Sequence, residues 1–319
     1  MQIEVKKITS LDYPEWDKFV DSSDNGTIFH KLHFLKYHPE NRFDFHNLAF
    51  YDDNKLIAVL PGGVKDGVFK SPMGASYGSF AMPDLTLEKQ EGVIDAFLEY
   101  AKQMDFREIY LTPPPVVYYK TQNQIDRFLL NYKGFGTHVN LISNIANLQH
   151  DDVFNKFHSS HQRAYRKSVK SNLKVEFNND LDNFYPMLIE NKKKFNTTPT
   201  HTYEELIKLA QLFPEDIKLL MAYHEGKPVA GVLLFVCNST TVLAFYISHY
   251  FEYQELRAVN RLLTEAVLWS KENGYKWFDL GVSMDTLSTN PMEPSRKLIF
   301  FKEGFASRGF LRGTYHVKL

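Results

Sequence analysis

Val259, Leu262, Leu263, Ala266, Val267 and Ser270 recur at steps of three and four, the spacing of one buried face of an amphipathic helix. Arg257, Arg261, Glu265 and Lys271 fall on the other side and are expected in water. Asn273-Gly274 marks the stop, because glycine accepts the left-handed conformation that ends a helix. An apolar run over Thr241–Ile247 precedes the helix and another over Lys276–Leu280 follows it, so both read as strands. A polar loop, SHYFEYQELR, joins the first strand to the helix. Strand, loop, helix and strand in this order place the loop and the helix N-terminus at one edge of a sheet, where ligands usually bind.

Upstream, the same plan is met in an earlier copy. IEVKKI reads as a strand, a helix starts near Asp12-Tyr13-Pro14-Glu15-Trp16, and TIFHKLHFLKYH reads as a short helix. LAFYDDNKLIAVLPGGV is a hairpin turning at Asp52-Asp53-Asn54-Lys55. VFKSP is a strand running into glycine-rich GASYGSFAMPD, followed by a helix with Val93, Ile94, Phe97, Leu98, Ala101 and Met104 on one face. FREIYLT is the next strand, stopped by Pro113-Pro114-Pro115.

Residues 217–281 repeat these elements. Tyr51, Lys55 and Ala58 fall on Tyr223, Lys227 and Ala230 at an offset of 172, and Ala101, Phe106 and Leu111 fall on Ser270, Tyr275 and Leu280 at an offset of 169. Constant order at a nearly constant offset is the mark of a duplicated domain. The expectation is two α/β domains of mixed sheets flanked by helices, 1–150 and 151–319, with the boundary near Leu148–Asp152. For 319 residues, two domains are also what core size allows.

Charge changes the picture only locally. With 37 basic and 38 acidic residues, no global field draws in nucleic acid or an anionic membrane. DDVFNKFHSSHQRAYRKSVKS, however, reads as a helix over Asp152–Ser171 that gathers Arg163, Arg166, Lys167 and Lys170 in one half. That face is either solvated or built to grip phosphates. LDNFYPMLIENKKKF is the next helix, and Thr197–Thr202 is a loop holding His201.

Other chemistry is sparse. The single cysteine, Cys237, lies in an apolar run, which excludes an internal disulfide and fits a buried small hydrophobe. His30 with His33 and His158 with His161 have ligand spacing but lack a third ligand, so no metal is expected. MQIEVKKITS has no apolar core of a signal peptide and no apolar run reaches eighteen residues, which together predict a cytoplasmic protein.

Three stretches carry a resemblance: NGTIFHKLHFLKYH, the basic RAYRKSVK helix, and NRLLTEAVLWSKENGYKWFDLGVS with FKEGFASRGF after it. They resemble the Fem-type and BioF2-like branch of the GNAT acyltransferase superfamily. The resemblance implies two tandem GNAT-like domains, the first degenerate, and transfer of an acyl or aminoacyl group to an amine.

Several site residues follow from the resemblance. In GNAT domains the strand before the long helix splays from its neighbour, here Thr241–Ile247, with Tyr246 on it and His249 just beyond as a base for the amine proton. Lys302 of FKEGF is implied to reach the transfer centre and to stabilise an oxyanion or a donor phosphate. Asp279 and Tyr315 are weaker candidates. GNAT proteins that use acetyl-CoA carry a Q/R-x-x-G-x-G/A loop; here Gln254 is in place, but Arg257 and Val259 replace the small residues. Arg257 and Arg261 would then meet phosphates directly.

The Fem branch lacks that loop and uses aminoacyl-tRNA, so the donor is acyl-CoA or aminoacyl-tRNA, with no tightly bound cofactor. The implied acceptor is an amine of the lipid-linked peptidoglycan-precursor type, reached by transient membrane-surface contact. Arg163, Arg166 and Lys167 would suit its diphosphate or a tRNA end, and Ser76 and Tyr77 would line the acceptor side. The competing expectation, raised by the missing glycines, is a non-catalytic binding protein on a decayed GNAT scaffold.

Overall fold

The computed structural model describes residues 3–194 and 196–319. Two compact units emerge, one of residues 1–140 with 311–319 and one of residues 141–310. The expected boundary at Leu148–Asp152 lies inside the second unit, and the last nine residues return to the first.

In chain order the first unit runs β1 (Glu4–Ile8), α1 (Pro14–Ser22), α2 (Leu32–Leu35), β2 (Asn47–Asp52), β3 (Lys55–Leu60), β4 (Gly63–Lys65), β5 (Val68–Ser71), α3 (Leu87–Gln103), β6 (Glu108–Leu111) and α4 (Ile125–Tyr132). Strand β7 (Gly136–Asn147) leads into the second unit, which holds α5 (Ser159–Val169), β8 (Lys174–Asn178), α6 (Leu181–Lys193), α7 (Tyr203–Leu212), β9 (Ile217–His224) and β10 (Lys227–Val236). It continues with β11 (Thr241–His249), α8 (Ala258–Glu272), β12 (Trp277–Val282) and α9 (Arg296–Glu303), and β13 (Ser307–Lys318) leads back.

The hairpin of the first unit turns where the sequence places it. Asp53 and Asn54 take positive φ angles of 47° and 64°, the left-handed pair of a tight hairpin, and β1-β2-β3 form a three-stranded sheet. In a second sheet of this unit the order is β4-β5-β6-β13, with β5 and β6 parallel across α3. Val93, Ile94, Phe97 and Ala101 of α3 are buried in the core formed with Phe50, Phe69 and Ile109. The 28–38 stretch holds a shorter helix than its pattern predicts. Asp17 accepts the Leu32 and His33 N–H groups at 2.7 and 3.2 Å, and His30 Nε2 is 2.9 Å from the Gly78 carbonyl, which hold Lys31 extended and restart the helix at Leu32.

The second unit repeats the arrangement in the order β7-β12-β11-β10-β9-β8. Its β11-α8-β12 crossover matches β5-α3-β6, with β11 and β12 parallel. Leu262, Leu263, Ala266 and Val267 of α8 are buried against Val232, Leu234, Val242 and Phe278. Apolar burial on this scale, about 1.5–3 kcal/mol for each large side chain, is what holds the long helix on the sheet.

Three local expectations change. Asp152–Ser171 is not one helix: Phe157 is extended, its ring 5.4 Å from Phe305, and the His158 N–H donates to the Gly304 carbonyl at 2.9 Å. A tertiary hydrogen bond thus breaks the stretch into a 3-10 turn and α5. The polar side of α8 is only partly in water, because α5 packs on it near Arg261 and Glu265. Arg261 lies 3.0 Å from Glu265 and over the Tyr165 ring at 5.1 Å, and Lys271 donates to the His150 carbonyl. Finally, α6 ends at Lys193, and Phe195, the last residue of the helix expected there, lies outside the described residues. Among the described residues no helix is long and apolar enough to cross a membrane.

Candidate active site

The site begins where two parallel strands part. Strands β11 and β12 pair only from Thr241↔Trp277 to Leu243↔Asp279, while β11 stays on β10 as far as Ala230↔His249. Two features part the strands. Gly281 has φ 78°, open to glycine and strained for other residues, and its N–H donates to Asp279 Oδ1 at 2.6 Å. A register shift opposite Leu233/Leu234 leaves Phe245 as an extra residue on β11 and bends that strand where its pairing with β12 has ended. Asn191 of α6 then clamps the end of β11, donating from Nδ2 to the His249 carbonyl at 2.7 Å.

A cavity of about 740 Å³ lies at this edge, between Ile247 and His249 on β11, the first turn of α8, α5 and α9. Its lining is cationic. Arg163, Lys167, Arg257 and Lys302 contribute the charge, beside the imidazoles of His161 and His249, with no carboxylate among the lining residues. Val229, Ile247, Ala258, Val259 and Phe301 supply apolar wall. The first turn of α8 holds no acidic residue and no side-chain cap, so the N–H groups and dipole of the helix remain available to an anion in the cavity.

Arg257 is the N-cap of α8 at φ 57° and ψ 33°. The position where the acetyl-CoA loop has glycine therefore keeps a backbone conformation that glycine favours, while carrying a cation. A non-glycine residue held there costs about 1–2 kcal/mol. Arg257→Gly is accordingly expected to raise stability by about 1 kcal/mol in urea denaturation and to weaken an anionic ligand. A variant less stable than the parent would refute the strain.

Lys302 is on α9 and only 4% exposed. Its Nζ donates at 2.8 Å to both the Gly281 and the Val282 carbonyls, the two residues at which β12 turns off. Burial pushes its pKa down to about 8, with the Asp279 charge opposing the shift. Two residues on, Gly304 packs against His161 of α5. A Cβ on Gly304 would overlap Cε1 of that ring and lie 2.5 Å from both ring nitrogens. The glycine of FKEGF is thus explained by a close approach, since its own φ of −59° is open to any residue.

His249 is half-buried on the cavity wall, its ring 4.5 Å from Phe251. Burial, helped by Lys194, lowers its pKa from the ordinary 6.5 and leaves a neutral imidazole near pH 7. His161 is lowered too, by burial first, with the Phe301 carbonyl opposing and His158 adding to the shift.

Of the residues singled out in the sequence, His249, Lys302, Arg163, Lys167 and Arg257 meet around one cavity. Arg166, Arg261 and Tyr246 do not line it. Arg166 donates to Gln162 at 3.2 Å, and Arg261 is bound to Glu265 and Tyr165. Tyr246 is buried, its hydroxyl accepting the Thr200 N–H at 3.0 Å and holding the loop before α7. Ser76 and Tyr77 belong to the first unit, where Arg312 donates to the Ser76 carbonyl at 2.7 Å and stands 5.0 Å over the Tyr77 ring. Tyr315 lies there as well, on β13 opposite Leu111. His161, Asn191 and Phe301 were not singled out as transfer-site residues. Their only sequence signal was the apolar context of α9 and a His spacing that reads as metal ligation. Among the described residues no cluster of three or more His, Cys, Asp or Glu is placed to hold a metal ion.

Splayed parallel strands, a long helix pointing its N-terminus at the gap and a basic cavity are the features against which known proteins can be compared. Residues 155–286 match the family model of the acetyltransferase (GNAT) domain. That span includes β11, α8 and β12 but stops short of Lys302. No curated protein matches the sequence. Among solved structures, FemX is similar with a TM-score of 0.75 at 13% identity, over 100% of this chain and 98% of that one. L-PGS from Bacillus licheniformis is similar with a TM-score of 0.61 at 13% identity, over 98% and 94% of the two chains. A tandem GNAT protein from the clavulanic acid biosynthesis pathway gives 0.57 at 9% identity, over 99% and 98%. The fold is therefore that of two tandem GNAT-like domains, and the stretch that matches the acetyltransferase (GNAT) domain model lies in the second.

Proposed function

We propose that the second unit transfers an acyl group from an anionic thioester donor, of the acyl-CoA type, to an amine. One observation carries this reading: the splayed edge of β11 opens on a cavity of about 740 Å³ whose charged lining is entirely basic. An extended pantetheine arm would run along Ile247 against the apolar wall. The donor's phosphates fall to Arg163, Lys167 and Arg257 and to the first turn of α8. Aminoacyl-tRNA offers the same phosphate chemistry, and it is the donor that the Fem-type resemblance implies.

The chemistry then divides among named groups. Neutral His249 takes the proton that the attacking amine must lose. The carbonyl oxygen gains charge as the C–N bond forms, and the Lys302 ammonium is the buried cation available to meet it. As the tetrahedral species collapses, the C–S bond breaks and the sulfur leaves as a thiolate, which takes up the proton held by His249. For the acceptor, exposed Leu298 and Phe300 of α9 and Phe251 put apolar surface beside the basic lining. That combination supports an amine on a lipid-linked envelope precursor, met at a membrane surface.

Calorimetry with CoA, acetyl-CoA and bulk tRNA tests the donor. CoA is expected to bind with an affinity that falls as salt rises, and Arg163→Ala to weaken it roughly tenfold, the worth of one charge-assisted hydrogen bond. Binding of tRNA with indifference to CoA would move the donor assignment. A ligand held with no turnover on any amine would instead favour the non-catalytic binding protein.

A further inference from the structure

Beneath Lys302 lies a buried polar chain that the transfer chemistry above does not use. Asp279 of β12 is fully buried, yet it does not line the cavity. Its Oδ1 accepts the Ser143 hydroxyl and the Gly281 N–H, both at 2.6 Å. Gly281 stands at φ 78°, and its carbonyl with that of Val282 receives the two hydrogen bonds of Lys302 Nζ. A carboxylate is thus buried, at a cost of several kcal/mol unless paired, at the point where the strand must turn.

We propose that Asp279, held by Ser143, is a positioning residue that fixes the Gly281 turn and keeps the buried Lys302 side chain charged and aimed at the transfer centre. The physical argument has two parts. The hydrogen bond to the Gly281 N–H sets the left-handed turn, and with it the direction of both carbonyls. The charge also supplies the counter-field that an otherwise desolvated ammonium lacks. The basic groups around the cavity have the opposite effect on Lys302 when charged: Arg163, Lys167 and His161 from α5, His249 from β11 and Arg257 from the start of α8; Tyr253 also lines it, and the Glu255 carboxylate is taken up by Lys167 at 3.2 Å and Arg257 at 3.8 Å. Burial disfavours the Lys302 ammonium, and the Asp279 charge opposes that effect. The role deepens the acyltransferase reading and rests on it, but the structural part can be measured without any substrate.

The experiment is a lysine 13Cε NMR titration of the full chain, with the Lys302 signal assigned from Lys302→Arg. In the parent protein the signal is expected to titrate near 8. In Asp279→Asn, which keeps the shape, it should titrate about one unit lower, while Asp279→Glu restores part of the shift. A purely structural Asp279 would change the melting temperature and leave the Lys302 titration where it was, and that result would overturn the proposal. If Asp279→Asn does not fold, Ser143→Ala reads the same chain by removing the Ser143 hydrogen bond to Asp279 Oδ1. It should lower kcat about tenfold at unchanged KM, the scale of one misplaced group. Ser143→Ala with parental kcat and a parental Lys302 titration would overturn the proposal as well. A shifted Lys302 titration in a protein that turns over no donor would spare the positioning role and count only against the transferase reading.

Discussion

Lys302→Met is expected to abolish acyl transfer while leaving the protein folded, with kcat/KM lower by about a hundredfold to a thousandfold, the cost of losing one buried donor to a developing oxyanion. Methionine keeps most of the stem volume, so no large cavity opens beside Phe301. The stability consequence has a definite sign. In the folded protein the lysine titrates at about 8, against 10.5 for the ordinary side chain. Between those values the unfolded chain binds more protons than the native one, so stability rises with pH across that window. The penalty, about 3 kcal/mol, is fully present below pH 8 and gone above 10.5.

Removing the amine lifts that penalty but strands the Gly281 and Val282 carbonyls, each at about 1–3 kcal/mol. The two effects nearly offset at pH 7. The diagnostic is therefore the slope: denaturation midpoints of the parent should climb from pH 8 toward 10.5, and those of Lys302→Met should not. A variant with full turnover would sink the catalytic role, and a parental slope in the variant would sink the burial argument.

Gly304→Ala is the second variant expected to act strongly. The added methyl overlaps the His161 ring, which is itself wedged 4.5 Å from Phe305 and 5.3 Å from Phe301. Neither neighbour is the free end of a flexible chain, and the His158 N–H is tied to the Gly304 carbonyl at 2.9 Å, so α9 or α5 must shift. Overpacking of this kind costs about 1–3 kcal/mol and moves Lys302 with its helix, lowering transfer as well. His161→Ala removes the obstruction. The double variant should be more stable than the sum of the single changes by at least about 1 kcal/mol, measured as a cycle in urea denaturation. Strict additivity would show that the ring and the glycine do not compete for the same space.

How much of this was legible beforehand differs by element. The three- and four-residue spacing in α8 and the alternation around Asp53-Asn54 are local patterns, and the helix and hairpin appear where those patterns place them. The cation cluster of α5 was legible as charge, but its division was not. Arg163 and Lys167 face the cavity while Arg166, between them in number, turns to Gln162 and Phe154. One residue of offset is 100° of helix, and only the packing of α5 on α8 fixes the zero of that rotation. For the same reason Arg261, assigned to phosphates by its sequence position, is occupied by Glu265 and Tyr165.

The pattern of apolar positions alone determined two copies of a strand, helix and strand unit and the polar edge at the start of the second helix, because periodicity is a property of neighbours in the chain. Tertiary structure decided what that edge can do. It carries Lys302 from a helix some twenty residues further on to the carbonyls of Gly281 and Val282, and it buries the amine there. It brings His161 against Gly304 and holds Arg257 left-handed where glycine was expected. Burial, close approach and a lowered pKa each arise between residues far apart in sequence, and no local spacing encodes them.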